Sequence, residues 1–535
     1  MLTVKKSQQK FIGLLILFTA IILPWIVVVL YEYNTQQAGG NSEVMLVNFK
    51  RDTVVNVDHS KFWLLQQEFS DPREVTKACL TCHNKIDREI MMSSHWKWTR
   101  EYITEQGDTI ELGKENIINN FCIGISSNEP LCTSCHIGYG WKDSSFDHTD
   151  KNNIDCLVCH DQTGTYKKFP AGAGFPVAKT KKFGNKTFTP PDYNLIAQNI
   201  GKPKKDNCGA CHFNGGGGNN VKHGDIAREM NQVTHDIDVH MAIDGAKMNC
   251  TDCHKTEHHN ITGNLYSIAS VDDNRVSCEQ CHTGSPHTNS ILNQHTDKIA
   301  CQTCHIPEYA KVSSTKMSWD WSTAGKLNSD GSLITEKDSL GNMTYFTKKG
   351  SFVWKNNVEP EYVWFNGNAK HYVTGDKVDP DKVVKLNTLL GSYSDKKAKI
   401  IPIKKHVGKQ IYDTENNIMI IPHLFGKDST AYWGNYDWDK AAQVGMASAG
   451  LPYSGNYGFI STEMSWPINH MVASRNESLK CADCHTSNGR LNSLTDFYLP
   501  GRDKSNFLDR VGIILILMSF AGVFVHAGLR IINRK

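Results

Sequence analysis

The sequence predicts a mainly α-helical fold with extensive irregular loops, flanked by two transmembrane helices. Three observations carry that prediction. Sixteen of the 17 cysteines fall into eight C-x-x-C-H pentapeptides. Successive motifs begin 53, 24, 52, 42, 28, 23 and 180 residues apart, so no repeat unit of fixed length is present. An apolar run stands at each end of the 535-residue chain.

From the N-terminus, residues 1–10 read as a cytoplasmic segment and residues 11–31 as a retained anchor. The run FIGLLILFTAIILPWIVVVL, residues 11–30, is long enough to cross a bilayer as a helix. Lys5, Lys6 and Lys10 precede it and place the N-terminus inside. A cleaved signal peptide is the rival reading, but the run continues through Val27, Val28, Val29 and Leu30 where small residues at a cut site would stand.

Residues 45–305 carry seven motifs: Cys79/Cys82/His83, Cys132/Cys135/His136, Cys156/Cys159/His160, Cys208/Cys211/His212, Cys250/Cys253/His254, Cys278/Cys281/His282 and Cys301/Cys304/His305. The eighth, Cys481/Cys484/His485, lies in a segment spanning 466–500. In this pentapeptide the two thiols add to the vinyl groups of a haem and the histidine reaches its iron. Disulfides do not explain a histidine after every second cysteine, and zinc ribbons do not need one. Eight covalently attached haem c groups are therefore expected, with porphyrins supplying much of the core of a multihaem cytochrome c ectodomain. Because haem is attached outside the cytoplasm, that domain is expected in the periplasm. The formal charge of +3 omits the haem propionates, and no nucleic-acid partner is suggested.

Between motifs, short helices are expected to carry the haem histidines, joined by glycine-rich connections such as Phe213-Asn214-Gly215-Gly216-Gly217-Gly218. Residues 306–465 hold no motif but are rich in Trp, Tyr, Gly and Asn. A structureless loop of that length is improbable. The segment reads as a packed insert with strands around 352–373, shielding haems or shaping a channel. Residues 511–529, VGIILILMSFAGVFVHAGL, form the second span, and Arg530, Arg534 and Lys535 place the tail 530–535 in the cytoplasm.

Eight of the 23 histidines belong to the motifs, and His526 lies in the second span. Within about a dozen residues of a motif stand His95, His223, His240, His259, His287, His295 and His470, seven candidate distal ligands for eight irons. His59, His148, His235, His258, His371, His406 and His423 remain open. An iron with two histidines passes electrons but has no place for substrate. A neutral lysine amine is a more exchangeable ligand, and Lys167 and Lys168 follow the third motif in CLVCHDQTGTYKKFP.

The motif set, the long gap before the eighth, NNFCIGISSNEPLCTSCHIGYGW, CLVCHDQTGTYKKFP, NCGACHFNGGGGNNVKHGD and MSWPINHMVASRNESLKCADCHTSNGRL together resemble the octahaem tetrathionate reductase family of c-type cytochromes. The likeness covers roughly residues 79–495. It implies seven bis-histidine haems and a catalytic, lysine-ligated haem at Cys132, Cys135 and His136, with Lys168 as the ligand and Lys167 as the fallback. Asp161 and Tyr166 are candidate proton donors nearby. Cys122, outside every motif, is a candidate nucleophile towards a sulfur-sulfur bond.

The function expected is a membrane-anchored reductase of a small sulfur or nitrogen oxyanion such as tetrathionate or nitrite, or of hydroxylamine. The expected donor is the quinone pool or a quinol-oxidising cytochrome b, with self-association left open. His526 is a haem b ligand, a quinone contact or an interfacial side chain. One rival is an electron conduit with every haem bis-histidine. The other is a hydroxylamine oxidase, for which Tyr498 is the only tyrosine beyond the eighth motif.

Overall fold

The computed structural model describes Ile22, Ile26 and residues 57–104, 107–121, 123–264 and 269–533. The N-terminal anchor, apart from Ile22 and Ile26, and the candidate nucleophile Cys122 lie outside the described residues. The chain divides into two compact units. In the first, residues 277–299 carry the sixth motif and a helix Ser290–His295 capped by the Asn289 side chain. The second comprises residues 53–276 and 300–535.

Short helical turns carry most of the motifs because C-x-x-C spacing sets both sulfurs on one face of a helix, one turn apart. Helix α1, Pro72–Cys82, shows the local logic. Asp71 caps it, Glu74 closes the capping box and Pro72 occupies the first turn, where its missing N–H costs nothing. Its last turn is the Cys79-x-x-Cys82 pair, and His83 leaves the helix. Helix α2, Lys205–His212, carries the fourth motif in the same way, and single turns at Cys250–Cys253, Cys301–His305 and Cys481–Cys484 carry three others.

The sixth motif corrects two expectations. A helix was expected to carry Cys281 and His282, but the 3₁₀ turn Cys278–Gln280 ends before either residue. The Cys281 backbone, at φ −127° and ψ −29°, has already left the helical region. His282 N still donates to Cys278 O at 2.9 Å, which closes the motif as a loop. The turn has no preceding helix to extend, Ser277 gives it no side-chain cap, and Gly284 and Pro286 follow within a few residues. The motif was also expected in one haem domain with motifs one to five and seven. Cys281 and His282 fall instead in the smaller unit, whose residues 277–299 include no buried side chain to tie them into an apolar core.

The expectation of a mainly α-helical chain holds for the other motif segments and fails for the insert. Nine strands form one sheet there: β1 Thr315–Asp320, β2 Thr335–Lys337, β3 Met343–Phe346, β4 Gly350–Lys355, β5 Glu361–Phe365, β6 Val384–Lys385, β7 Lys399–Asp413, β8 Ile418–Met419 and β9 Tyr457–Pro467. The order is β6-β9-β7-β1-β4-β3-β2, with β5 and β8 also paired to β7. Strands expected around 352–373 are present as β4, β5 and the short Ala369–His371. Strand β9 crosses the boundary expected at 465.

Strand β7 organises the sheet. It runs antiparallel to β9 from Ile403↔Pro467 to Asp413↔Tyr457, and parallel to β1 at Val407↔Ser318. Trp319, Trp321, Ile411, Tyr432, Met464 and Trp466 are buried in the core it shares with helix α3, Trp438–Ser448. Each such side chain contributes roughly 1.5–3 kcal/mol of burial. This core belongs to the protein itself rather than to porphyrins, which is why the insert forms a sheet. Gly445 on α3 is required by close approach, since a Cβ there would lie 1.9 Å from Ile421 O.

Helix α4, Asn506–Ile532, has mean hydropathy 2.2 over its most apolar stretch and is the helix among the described residues long and apolar enough to cross a membrane. It contains the expected span 511–529 and His526.

Candidate haem sites and active site

Two imidazoles bound at about 2 Å on opposite faces of one iron place their ring centroids roughly 6 Å apart. Pairs in the larger unit meet that geometry. His59 and His83 lie 6.4 Å apart, His95 and His212 6.2 Å, and His254 and His470 6.2 Å.

The outer ring nitrogens support the same reading. Nδ1 of His160 faces Gly201 O at 2.8 Å, that of His254 faces Thr262 O at 2.7 Å, and that of His485 faces Pro500 O at 3.0 Å. On the distal side, Nδ1 of His59 faces Val57 O at 2.9 Å and Nδ1 of His470 faces Asp225 Oδ2 at 3.0 Å. A bond at Nδ1 fixes the tautomer and leaves Nε2 for a metal. Burial pushes His95 down to about 4 and His212 to about 3, so both are held in the neutral form that coordinates. The residues present thus fit covalent haem c.

His258 and His259 share Glu89, through Nδ1 contacts of 3.2 and 3.0 Å. His258 is 78% exposed and His259 33%. Of the two, His259 is the more enclosed and so the better candidate to face an iron. Burial lowers His160, against its bond to Gly201 O, and His259, His83 and His59 lower it further. His223 is half-buried with its ring 5.2 Å from Trp466. The N–H of His240 donates to Asp238.

Cys281 and His282 belong to the smaller unit. They share the unit of residues 277–299 with the distal candidates His287 and His295, whereas the facing pairs above belong to the larger unit. The side chains of Cys281 and His282 are half-buried, as are those of His95 and His223. The sixth motif is thus carried by a loop rather than a helix.

His59 is the candidate ligand that sequence proximity missed, because it lies beyond the window around the first motif. His371 accepts from Ser270 N at Nε2, and His423 uses both nitrogens on Ser127 O and Asp428. Both have protein partners at the nitrogen an iron would take.

Cysteines of different motifs lie close together. Cys79 and Cys156, Cys135 and Cys211, and Cys208 and Cys250 are close enough to perturb each other's thiols, and Cys211 Sγ lies 3.9 Å from Cys135 O. Because these sulfurs carry the porphyrin edges, motif four adjoins both motif two and motif five.

The second motif differs from the others. His136 is fully buried, and its Nε2 lies 2.6 Å from Trp96 O while Nδ1 has no partner. Trp96, Trp98, Trp141 and Phe146 surround the ring at 5.2, 5.2, 4.9 and 5.5 Å. His148 stands 6.3 Å away, but the nitrogen that would bind iron is already engaged. The expectation that His136 ligates this iron meets the opposite geometry, because an aromatic box encloses the imidazole.

Lys168 lies beside it. Its side chain is 7% exposed, and its Nζ sits 3.0 Å from the fully buried Asp155 carboxylate and donates to His136 O. Tyr139 and Tyr166 donate to the two oxygens of Asp155 at 2.7 and 2.9 Å. Burial pushes both phenols well above their ordinary range. Lys167 points outward and is exposed, which separates the pair that sequence left open.

Asp161 accepts from Thr163 N and Thr163 Oγ1 at 2.7 and 2.6 Å and from Tyr166 N at 3.1 Å. It holds a turn, so the expectation of a proton donor there is not met. Asp155, next to Cys156 in sequence, is the residue of this cluster that sequence reasoning passed over. Its only signal was an acid directly before a motif.

Helical C-x-x-C-H turns with imidazoles facing each other across a gap define a multihaem c-type cytochrome, in which haem c is bound covalently. The family described as bacterial cytochrome c matches residues 316–488, and that of cytochrome c554 and c-prime matches residues 78–161. The crystal structure of an octahaem cytochrome c from Shewanella oneidensis is similar with a TM-score of 0.74 and 46% identity, covering 82% of this chain and 96% of that one. An uncharacterised protein of Archaeoglobus fulgidus is 26% identical over 262 residues, 42% of this chain and 86% of its own length. This chain belongs to the octahaem c-type cytochromes.

Proposed function

We propose that this protein is a membrane-anchored reductase carrying eight haems, which reduces a small sulfur or nitrogen oxyanion, or hydroxylamine, at the haem of the second motif. The observation that carries the proposal is the burial of Lys168 beside that motif while His136 is turned into an aromatic box. The haem held by Cys132 and Cys135 would supply an iron able to pass electrons to a bound substrate.

Lys168 would be the protein ligand there. An ammonium must lose a proton before it can ligate, and Asp155 stands 3.0 Å away to receive it. Tyr139 and Tyr166 hold that carboxylate in place. The aromatic box of Trp96, Trp98, Trp141 and Phe146 keeps His136 from competing. Electrons would arrive through motif four, whose Cys211 Sγ lies 3.9 Å from Cys135 O.

Helix α4 and the apolar run at 11–31 would hold the haem domain on the periplasmic face with both termini in the cytoplasm. That placement suits a quinol-oxidising cytochrome b or the quinone pool as donor. Near-infrared magnetic circular dichroism of the oxidised, detergent-purified protein tests the site. One lysine-type haem among bis-histidine haems, lost in Lys168→Ala, is expected. Bis-histidine ligation of every haem would make the protein an electron conduit instead.

A further inference from the structure

Four consecutive backbone N–H groups, from Asn469 to Val472, are held by two buried carboxylates. Asn469 N and His470 N donate to Asp225 Oδ2 at 2.8 and 2.9 Å, and Met471 N and Val472 N donate to Asp238 Oδ2 at 2.9 and 3.2 Å. Met471 takes φ +67°, a left-handed conformation that a residue of this type adopts only under such restraint. The segment presents His470, whose ring faces that of His254 at 6.2 Å with the planes 22° apart.

Nδ1 of the same imidazole lies 3.0 Å from Asp225 Oδ2, which therefore receives three N–H groups. Such a set of donors keeps a carboxyl ionised. The Asp225 side chain is 2% exposed, and its Oδ1 is buried with no hydrogen-bond partner among the described residues. Lys404 adjoins this loop, since a Cβ on Gly224 would lie 3.3 Å from its Cδ. Its three Nζ donors go instead to Val221 O, Lys222 O and Thr315 Oγ1, at 2.8, 3.1 and 2.6 Å. The charge on Asp225 thus acts on His470 with little screening.

Other histidines with a bonded Nδ1 differ. Those of His59, His160, His254 and His485 face neutral backbone carbonyls, and Glu89, shared by His258 and His259, is 21% exposed. A carboxylate on Nδ1 draws the ring proton towards itself and strengthens donation from Nε2. That favours the ferric state, as does the buried negative charge itself. Motif four has the opposite surroundings. The side-chain cations facing His95 and His212 are Lys114, Lys222 and Arg100, of which Arg100 pairs with Asp273 at 3.1 Å. Cys208 and Cys250 bring motifs four and five side by side.

We infer that Asp225 is a positioning residue that lowers the reduction potential of the fifth-motif haem below that of the fourth, so that electrons pass singly from motif five to motif four. No bond breaks in that step and no proton leaves the ring. The direction holds for a reductase and for an electron conduit alike, and does not rest on the role of Lys168.

The test is a potentiometric titration of the full-length, detergent-solubilised protein followed by electron paramagnetic resonance, in which each low-spin ferric signal disappears on reduction. The motif-four signal is the one lost in His95→Ala, and the first-motif signal the one lost in His59→Ala. In Asp225→Asn a third low-spin signal should move to higher potential, by a roughly tenfold change in the ratio of reduced to oxidised haem, about 59 mV for one electron. The motif-four signal should move less. In the wild type the signal that moves should disappear at lower potential than that of motif four. Unmoved signals, a move to lower potential, or the reverse order in the wild type overturn the inference. A new high-spin signal in Asp225→Asn would show that the carboxylate only holds His470 in place, and overturns it too. If Asp225→Asn fails to fold, the wild-type g-values decide. Drawing the ring proton to a carboxylate narrows the g-spread of a haem whose ring planes are near parallel. A rhombic signal narrower than that of the first motif is expected, where the planes are 24° apart and His59 bonds to a carbonyl. The absence of a narrower signal overturns the inference.

Discussion

Lys168 Nζ and Asp155 Oδ2 stand 3.0 Å apart in the interior, with Lys168 also donating to the backbone carbonyl of His136. Asp155 is the buried partner of Lys168, Tyr139 and Tyr166, and each buried polar group left without its partner costs about 1–3 kcal/mol. Asp155→Ala, which also strips the acceptors from Tyr139 and Tyr166, is therefore expected to lower the melting temperature more than Lys167→Ala does on the exposed neighbour. Differential scanning calorimetry of the two variants checks this, and equal melting temperatures would contradict the burial argument.

The position of His136 makes an unusual prediction for a C-x-x-C-H histidine. His136→Phe keeps a ring in the aromatic box and removes only the bond to Trp96 O, so the haem spectrum should be unchanged. Electron paramagnetic resonance would show a new high-spin ferric signal if His136 were in fact a ligand.

His59 and His83 face each other at 6.4 Å. Replacing His59 with Ala opens one face of the first-motif iron, and a high-spin signal and cyanide binding absent from the wild type are expected. His259→Ala should have the same effect at the third motif, whereas His258→Ala, at a position 78% exposed, should have none.

Asp413 closes the end of β7. Burial raises its carboxyl, but hydrogen bonds from Asn416 and Ser454 outweigh that and bring it down to about 2 from the ordinary 3.8. A depressed folded-state value means the carboxylate stabilises the fold above about pH 4, and the contribution is lost as pH falls towards about 2. Asp413→Asn should therefore lower the melting temperature at neutral pH, with the difference from wild type shrinking through that window. A difference independent of pH would show that shape rather than charge matters at this turn.

Much of the site was legible because covalent haem attachment leaves a local signature: two cysteines and a histidine at fixed spacing. That signature does not fix the local backbone, since Cys281 and His282 keep the spacing yet lie beyond the end of their turn. The distal ligands were only partly legible. His95 and His470 stand close to motifs in sequence, but their partners His212 and His254 belong to motifs one or more loops away, and His59 lay outside the window altogether. A histidine opposite an iron is selected by distance through space, which sequence separation measures poorly.

The sequence by itself determined the haem chemistry, the apolar run near each end and the separateness of residues 306–465, since each depends on residues adjacent along the chain. Only the tertiary structure decided that the insert is a nine-stranded sheet with its own core, that Lys168 rather than Lys167 is buried, and that His136 is boxed away. Strand pairing, burial of a lysine against Asp155 and closure of Trp96, Trp98 and Trp141 around a ring are long-range arrangements, set by how the whole chain packs.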